Sequence, residues 1–284
     1  MQTEKWLIEI GPRKSLFSIN LREIWRYKDL LLLFVKRDIV TKYKQTILGP
    51  LWYLIQPLFT SVIFTLVFNN LANISTNGIP FFLFNLCSIT AWNYFKDCLT
   101  ETSDTFKKNE AIFGKVYFPR AIMPISVIIS NLIKFGIQFF IFLCFYLYFV
   151  FKGMSLELTS SIAYLPILIF SMGMLGLGMG MIISSMVTKY RDLTFLVSFG
   201  VQLLMYLSAV VYPVELVINK IPKYSWIVEY NPMTIVIENF RNIVFNSSSV
   251  NTYDILYMIA ITLIIFFIGL VIFNKAEKSF IDTI

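Results

Sequence analysis

The sequence contains no histidine, and so lacks the side chain most often used as a general base or metal ligand near neutral pH. Its cysteines number three, Cys87, Cys98 and Cys144, without C-x-x-C or zinc-ligand spacing. They read as small apolar residues within or at the edge of membrane spans. A Walker A phosphate loop is missing too: at the Gly114-Lys115 pair, Asn109 stands where G-x-x-x-x-G-K requires its first glycine. Any nucleotide energy must come from a partner. No catalytic residue, metal site or cofactor of the chain's own is expected. Charge is scarce as well, with Asp, Glu, Lys and Arg making up 14% of the residues, against about a quarter in soluble domains.

What the chain does have is apolar length. Over 284 residues it is 57% hydrophobic, with a mean hydropathy of +0.71, which describes a membrane protein. Six spans can be drawn at roughly 50–70, 79–97, 121–150, 161–187, 193–212 and 253–273. The first twenty residues lack the apolar core of a cleavable secretory signal, so the N-terminus is expected to be retained. Placing that terminus in the cytoplasm puts nineteen Lys and Arg in the inner segments and four in the outer loops, as the positive-inside rule requires. Both termini are therefore expected in the cytoplasm of a multi-pass protein. The net charge of +7 reads as attraction to a membrane surface, and no soluble basic domain for nucleic acid is present.

Between the spans, three segments stand out. Residues 21–46 have helical spacing, with Leu21, Ile24, Leu31, Val35 and Ile39 on one face and most charges on the other, as in an amphipathic helix at an interface. The charged stretch 98–120 is longer than a plain connection needs. Segment 213–252 is too long for a turn and too apolar for a solvated loop, so it is expected to fold back toward the membrane. Pro222 and Pro232 divide it, and Asn231-Pro232 has the form of an N-cap followed by proline at the first helical position.

Polar residues recur at helical spacing inside three spans: Tyr53, Gln56 and Thr60; Asn131, Lys134 and Gln138; Ser198, Gln202 and Tyr206. Polar groups are costly in hydrocarbon and mark either an aqueous pathway or interhelical hydrogen bonds. Trp52, Tyr53, Trp92, Tyr94, Tyr206 and Tyr212 add rings able to stack on sugars, or to form an interface belt. In the fourth span Gly176 and Gly180 form a small-x-x-x-small pair extended by Ser184, a close-packing signal. Gly49 and Pro50, with Pro57 two turns on, predict a hinge where the basic surface helix turns into a kinked first span.

Three stretches, LLLLFVKRDIVTKYKQTILGPLWYLIQPLF (30–59), NEAIFGKVYFPRAIMPI (109–125) and YNPMTIVIENFRNIVF (230–245), strongly resemble the transmembrane subunit of ABC-2 type polysaccharide exporters, the group of O-antigen, capsule and teichoic-acid permeases. The resemblance implies an all-α integral membrane protein of the bacterial inner membrane: six transmembrane helices, an N-terminal amphipathic interfacial helix, a cytoplasmic coupling helix and outer re-entrant gate helices. It divides the chain into a cytoplasmic segment 1–48, a transmembrane domain 49–275 with coupling segment 98–120 and outer gate helices 213–248, and a tail 276–284. The implied assembly is a homodimer with two separate ABC ATPase subunits, which bind ATP and Mg, exporting a glycan linked to undecaprenyl diphosphate.

By motif, Leu48, Gly49 and Pro50 match the turn bordering the lipid-diphosphate entrance, with Arg37, Lys42, Tyr43 and Lys44 beside it. Asn109, Glu110, Phe113 and Lys115 match the helix that docks on the ATPase. Tyr212, Pro222, Asn231, Pro232 and Glu238 match the outer gate. The polar stripes, Trp52 included, fit a channel lining. Two alternatives stay open: a drug, lipid or small antibiotic carried by the same fold, which predicts a narrower and less polar route, and a membrane acyl- or glycosyltransferase, which needs an acidic or histidine constellation that is not evident.

Overall fold

The computed structural model describes residues 21–44, 48–72, 74–76, 78–113, 118–154, 160–190, 192–247 and 250–281, and among them every regular element is a helix. On one side of the first span lie α1 (Leu21–Arg26) and α2 (Lys28–Tyr43). After a single 3₁₀ turn at Gly49–Leu51 comes α3 (Trp52–Phe64), which loosens into a π-helical stretch at Thr65–Leu71. Then follow α4 (Phe81–Ser103), the short α5 (Thr105–Phe113), α6 (Ile122–Phe151) and α7 (Leu165–Val187). The chain continues through α8 (Leu193–Leu207), the short α9 (Val214–Lys220) and α10 (Ser225–Glu229), α11 (Pro232–Phe245) and α12 (Thr252–Ile281).

Among the described residues, four helical stretches are long and apolar enough to cross a membrane: Trp52–Leu71, Ile122–Phe151, Ser161–Val187 and Thr252–Ala276. The other two expected spans differ from these for separate reasons. Helix α4 has 23 residues, about 34 Å at 1.5 Å per residue, but its last third carries Lys96, Asp97 and Glu101. Helix α8 has 15 residues, about 22 Å, short of a hydrocarbon layer about 30 Å thick. The sequence reading continued it to residue 212, whereas the backbone leaves the helix after Leu207 and Ala209 takes a left-handed φ of 49°.

Helix α7 lies at the centre, packed against α4 on one side and α12 on the other. Its glycines make this possible. A β-carbon on Gly176 would sit 2.8 Å from Cys98 Cβ and from the Phe95 carbonyl oxygen, and one on Gly180 would sit 2.6 Å from Thr102 Cβ. On the opposite face Gly178 meets the backbone of Phe266, and Gly269 of α12 faces the Gly178 carbonyl. Backbones this close gain dispersion along their whole length, the main attraction left to helices whose surroundings are as apolar as they are. Accordingly 61% of the apolar window of Ser161–Val187 is buried, against 11% for Trp52–Leu71, which lies at the periphery.

An aromatic ladder ties α6 to α11. Phe135, Phe139 and Phe142 recur at helical spacing, the first two stacked at 5.6 Å, and Phe240 sets its edge against Phe135 and Phe139 at 6.4 and 5.9 Å. A second core forms where α2 meets the remaining helices, with Phe34 buried beside Phe118, Ile122 and Met123. Ile24, Leu31 and Val35 thus face inward as their spacing predicted. The outer side of the helix is less uniformly polar than expected, since Trp25, Leu32 and Leu33 are exposed beside Lys28 and Lys36.

Gly180→Val is expected to lower the melting temperature of the detergent-purified protein sharply or to abolish its folded yield, since overpacking a filled contact costs about 1–3 kcal/mol or more. Gly136, with nothing within 4 Å of its would-be β-carbon, accepts alanine without loss, a gain of roughly 0.5–1 kcal/mol from helix propensity.

Candidate functional site

Two of the three polar stripes meet. Gln56 and Thr60 of α3 and Ser198 and Gln202 of α8 line one groove with Asn93 and Lys96 of α4, over a floor of Ile89, Trp92, Val201 and Met205; its volume is about 210 Å³. Thr60 and Ser198 turn their hydroxyls back to carbonyls of their own helices, Gln56 and Thr194, which leaves oxygen lone pairs but no free donors. Lys96 donates to Asn93 Oδ1 at 3.2 Å and lies 3.7 Å from Asp97. Gln56, Ser198 and Gln202 are exposed, so the groove opens to the outside of the bundle. Amides, hydroxyls and one ammonium over an apolar floor can bond hydroxyl groups while covering the apolar face of a ring.

The aromatic residues are distributed unequally around this groove. Trp92 is only 2% exposed and presents no open face, while Trp52 and Tyr206 are 50% and 42% exposed. Tyr94 is buried in the main core. Tyr53 is half-buried, with its ring 5.7 Å from the Lys134 ammonium.

The third stripe lies elsewhere. Lys134, read from its spacing as lining the channel, is 5% exposed and sits in an ion cluster, not among the residues that line the groove. Its Nζ donates to Glu101 Oε1 at 2.7 Å and lies 3.7 Å from Asp97, and Asn131 donates to Glu101 at 3.3 Å. Gln138, expected beside it, is likewise buried. The correction has a simple cause: an ammonium deep in a span is stable only against carboxylates, and α4 presents two of them one turn apart. Sequence reasoning missed Asp97 and Glu101, although acids at i and i+4, one at the end of an expected span and one just beyond it, were a readable signal.

At the expected entrance, Gly49 has φ of 45° with nothing within 4 Å of its would-be β-carbon, and Leu48 is exposed. Pro57 is buried inside α3 and frees a carbonyl of the preceding turn. Lys44 is exposed, whereas Arg37 turns inward to Asp38 and Asn109. The side chains of Lys42, Tyr43, Pro50, Glu110 and Phe113, and all of Lys115, lie outside the described residues.

The expected outer gate is held by a network of side-chain to backbone hydrogen bonds. Four residues on one face of α11, spaced 231, 234, 238 and 241, collect the backbone that leaves α8. Asn231 caps its own helix, accepting from Met233 N at 3.0 Å, as the Asn-Pro pair predicted, and donates to the Leu207 carbonyl at 3.2 Å and to Ser208 Oγ at 3.1 Å. Thr234 donates to the same Leu207 carbonyl, and Glu238 accepts from Val214 N at 3.1 Å. Arg241, 2% exposed, pairs with Glu238, donates to the Ala209 carbonyl at 3.2 Å and lies 4.2 Å over the Phe84 ring. Tyr212 donates its hydroxyl to the Tyr206 carbonyl, and Pro222 starts an exposed 3₁₀ turn, Pro222–Tyr224. Thr234 and Arg241 were not singled out from the sequence, though their spacing from Asn231 and Glu238 was visible in it.

The sequence pattern of the ABC-2 type transporter family matches residues 29–245. Among individual proteins, the chain is 28% identical to an O-antigen export system permease protein RfbA of Klebsiella pneumoniae over 89% of this chain and 94% of the relative. It is 22% identical to the protein of the same name from Myxococcus xanthus, over 93% and 98%. To the polysialic acid transport protein KpsM of Escherichia coli it is 22% identical over 87% and 93%.

Lys134→Met is expected to cost about 3–5 kcal/mol, the penalty for leaving buried charge without its partner. Combining it with Glu101→Gln should restore much of that stability. Thermal unfolding of the single and double variants in detergent tests the pair, and additive losses would dissolve it.

Proposed function

The chain belongs to the ABC-2 type transporter family, and from that premise we propose that it is the permease of an ATP-driven exporter carrying an undecaprenyl-diphosphate-linked polysaccharide, O-antigen foremost, out of the cytoplasm. It works in a bacterial inner membrane, with both termini cytoplasmic, as a homodimer bound to two separate ATPase subunits that hold ATP and Mg. The observation that carries this reading is the open groove in which α3, α4 and α8 bring amides, hydroxyls and Lys96 together. A groove polar on one face and open to the outside of its own bundle is half of a passage, and a second copy supplies the other half. The names of the relatives favour a glycan over a drug or lipid, since each refers to O-antigen export or polysialic acid transport.

In this reading the lipid diphosphate arrives at the turn formed by Leu48 and Gly49. There Lys42 and Lys44 offer charge-assisted hydrogen bonds to phosphate oxygens. The glycan follows along Gln56, Thr60, Ser198 and Gln202, whose amides and hydroxyl oxygens exchange one sugar's hydroxyls for the next. Helix α5 docks on the ATPase, and α11 with its captured 207–214 backbone forms the outer closure. The permease makes and breaks no covalent bond in this sequence of events. Its work is differential binding between an open and a closed arrangement, biased by the partner's nucleotide cycle.

Deleting the gene is expected to remove the surface polymer and to leave its lipid-linked precursor inside the cell, read on gels of surface and cytoplasmic glycan. Unchanged surface polymer with lost efflux of a small apolar compound would favour the drug reading. At the entrance, Gly49→Val should abolish export because a β-branched residue resists φ above zero. Gly49→Asn should retain most of it, since asparagine tolerates that conformation and the space is open. Equal loss in both would remove the turn from the mechanism.

A further inference from the structure

Arg37 is placed by its motif among the basic residues at the entrance, but its part-buried guanidinium is committed to partners within the protein. Nε and Nη2 donate to Asp38 Oδ1 at 3.0 and 2.9 Å, Nη1 donates to Asn109 Oδ1 at 3.2 Å, and the plane lies 4.8 Å over the Phe34 ring. Asn109 is equally committed. It is 6% exposed, and its Nδ2 donates to the Thr105 carbonyl one turn back in α5, at 2.9 Å. The bond between the two side chains spans 72 residues of sequence and joins α2, which ends at the entrance, to α5.

We propose that Arg37 and Asn109 form a strut through which movement of α5 reaches the entrance helix, so that Arg37 is a positioning residue and not a ligand of the diphosphate. Three features support this. The arginine fork has its directions fixed by Asp38 on one edge and Phe34 beneath, so Nη1 can address only one place. The acceptor amide is oriented by its own bond to Thr105, which makes the link stiff at both ends. And Phe34 packs on Phe118 at 5.8 Å, so the strut stands against the chain that leads from α5 into α6. A push on α5 moves α2 because nothing in the link can turn to absorb it.

The proposal rests on the reading of α5 as the ATPase-docking helix. Its test uses the exporter reconstituted in liposomes with its ATPase subunit. The measured quantities are ATPase copurification, polymer translocated per ATP hydrolysed, and the undecaprenyl diphosphate concentration that half-maximally stimulates hydrolysis. Arg37→Met and Asn109→Leu are each expected to lower translocation per ATP about tenfold, as for loss of one charged hydrogen bond, with the double variant no worse than either alone. Asn109→Asp, which keeps an acceptor for the guanidinium, should come closer to the unaltered ratio than Asn109→Leu and shows that the fold survives change at this position. Multiplying losses in the double variant would overturn the strut. So would a rise in the half-stimulating concentration for Arg37→Met without one for Asn109→Leu, which would make Arg37 a ligand after all. Failure of the unaltered chain to hold an ATPase subunit would overturn the functional reading, and the strut with it.

Discussion

A backbone carbonyl that leaves its helix at membrane depth must find a donor within the protein, and the junction of α8 with α11 is organised around that demand. Helix α8 stops short at Leu207, and the carbonyls of Leu207, Ala209 and Tyr212 are met by Asn231, Thr234 and Arg241. That requirement fixes which face of α11 turns inward. The opposite consequence follows on the same helix, where Phe240 and Phe245 are left to complete the aromatic ladder of α6. Arg241 is tolerable only because Glu238, the carbonyls of Ala209 and Tyr212, Ser88 and the Phe84 ring surround it. The junction of α8 and α11 is therefore a satisfied polar network inside an apolar shell, stable in one arrangement and costly in any that separates its members.

A second network, Lys134 with Asp97, Glu101 and Asn131, holds α4 against α6 near the opposite end, and the ring of Tyr53 from α3 lies beside it. Buried ion pairs of this kind add little net stability compared with apolar packing. What they contribute here is register: an ammonium that must face two carboxylates one turn apart allows α6 a single height against α4. Lys96, on the same turn of α4 as Asp97, is held toward the groove. Placing the one lysine in the groove thus depends on burying the other.

Much of this was legible in the sequence where a local rule decides the outcome. Asn231 before Pro232 caps a helix because the side chain and the missing N–H act within two residues. Gly176 and Gly180 mark a close contact because a single helical turn brings them to one face, and Gly49 marks a turn because φ above zero excludes most other residues. The departures all require a partner from elsewhere in the chain. The apolar run after residue 193 could not reveal that the carbonyls of Leu207 and Ala209 would be taken by α11. Lys134 shares the spacing of a lining residue, and only the carboxylates of α4 turn it inward. Arg37 carries the charge expected at an entrance, yet Asp38 and Asn109 claim it first.

The glycine contacts of α7 have a mechanical meaning. With Gly176 and Gly180 against α4, and Gly178 facing Gly269 of α12, the three helices have no side-chain cushion over which to slide. They form a stator. Displacement falls more readily to helices that pack on this block without glycine contacts, α3 with its buried proline and π-helical stretch, and the short α8. These two carry Gln56, Thr60, Ser198 and Gln202. The walls of the groove on α3 and α8 can therefore shift against α4 without unpacking the centre of the protein.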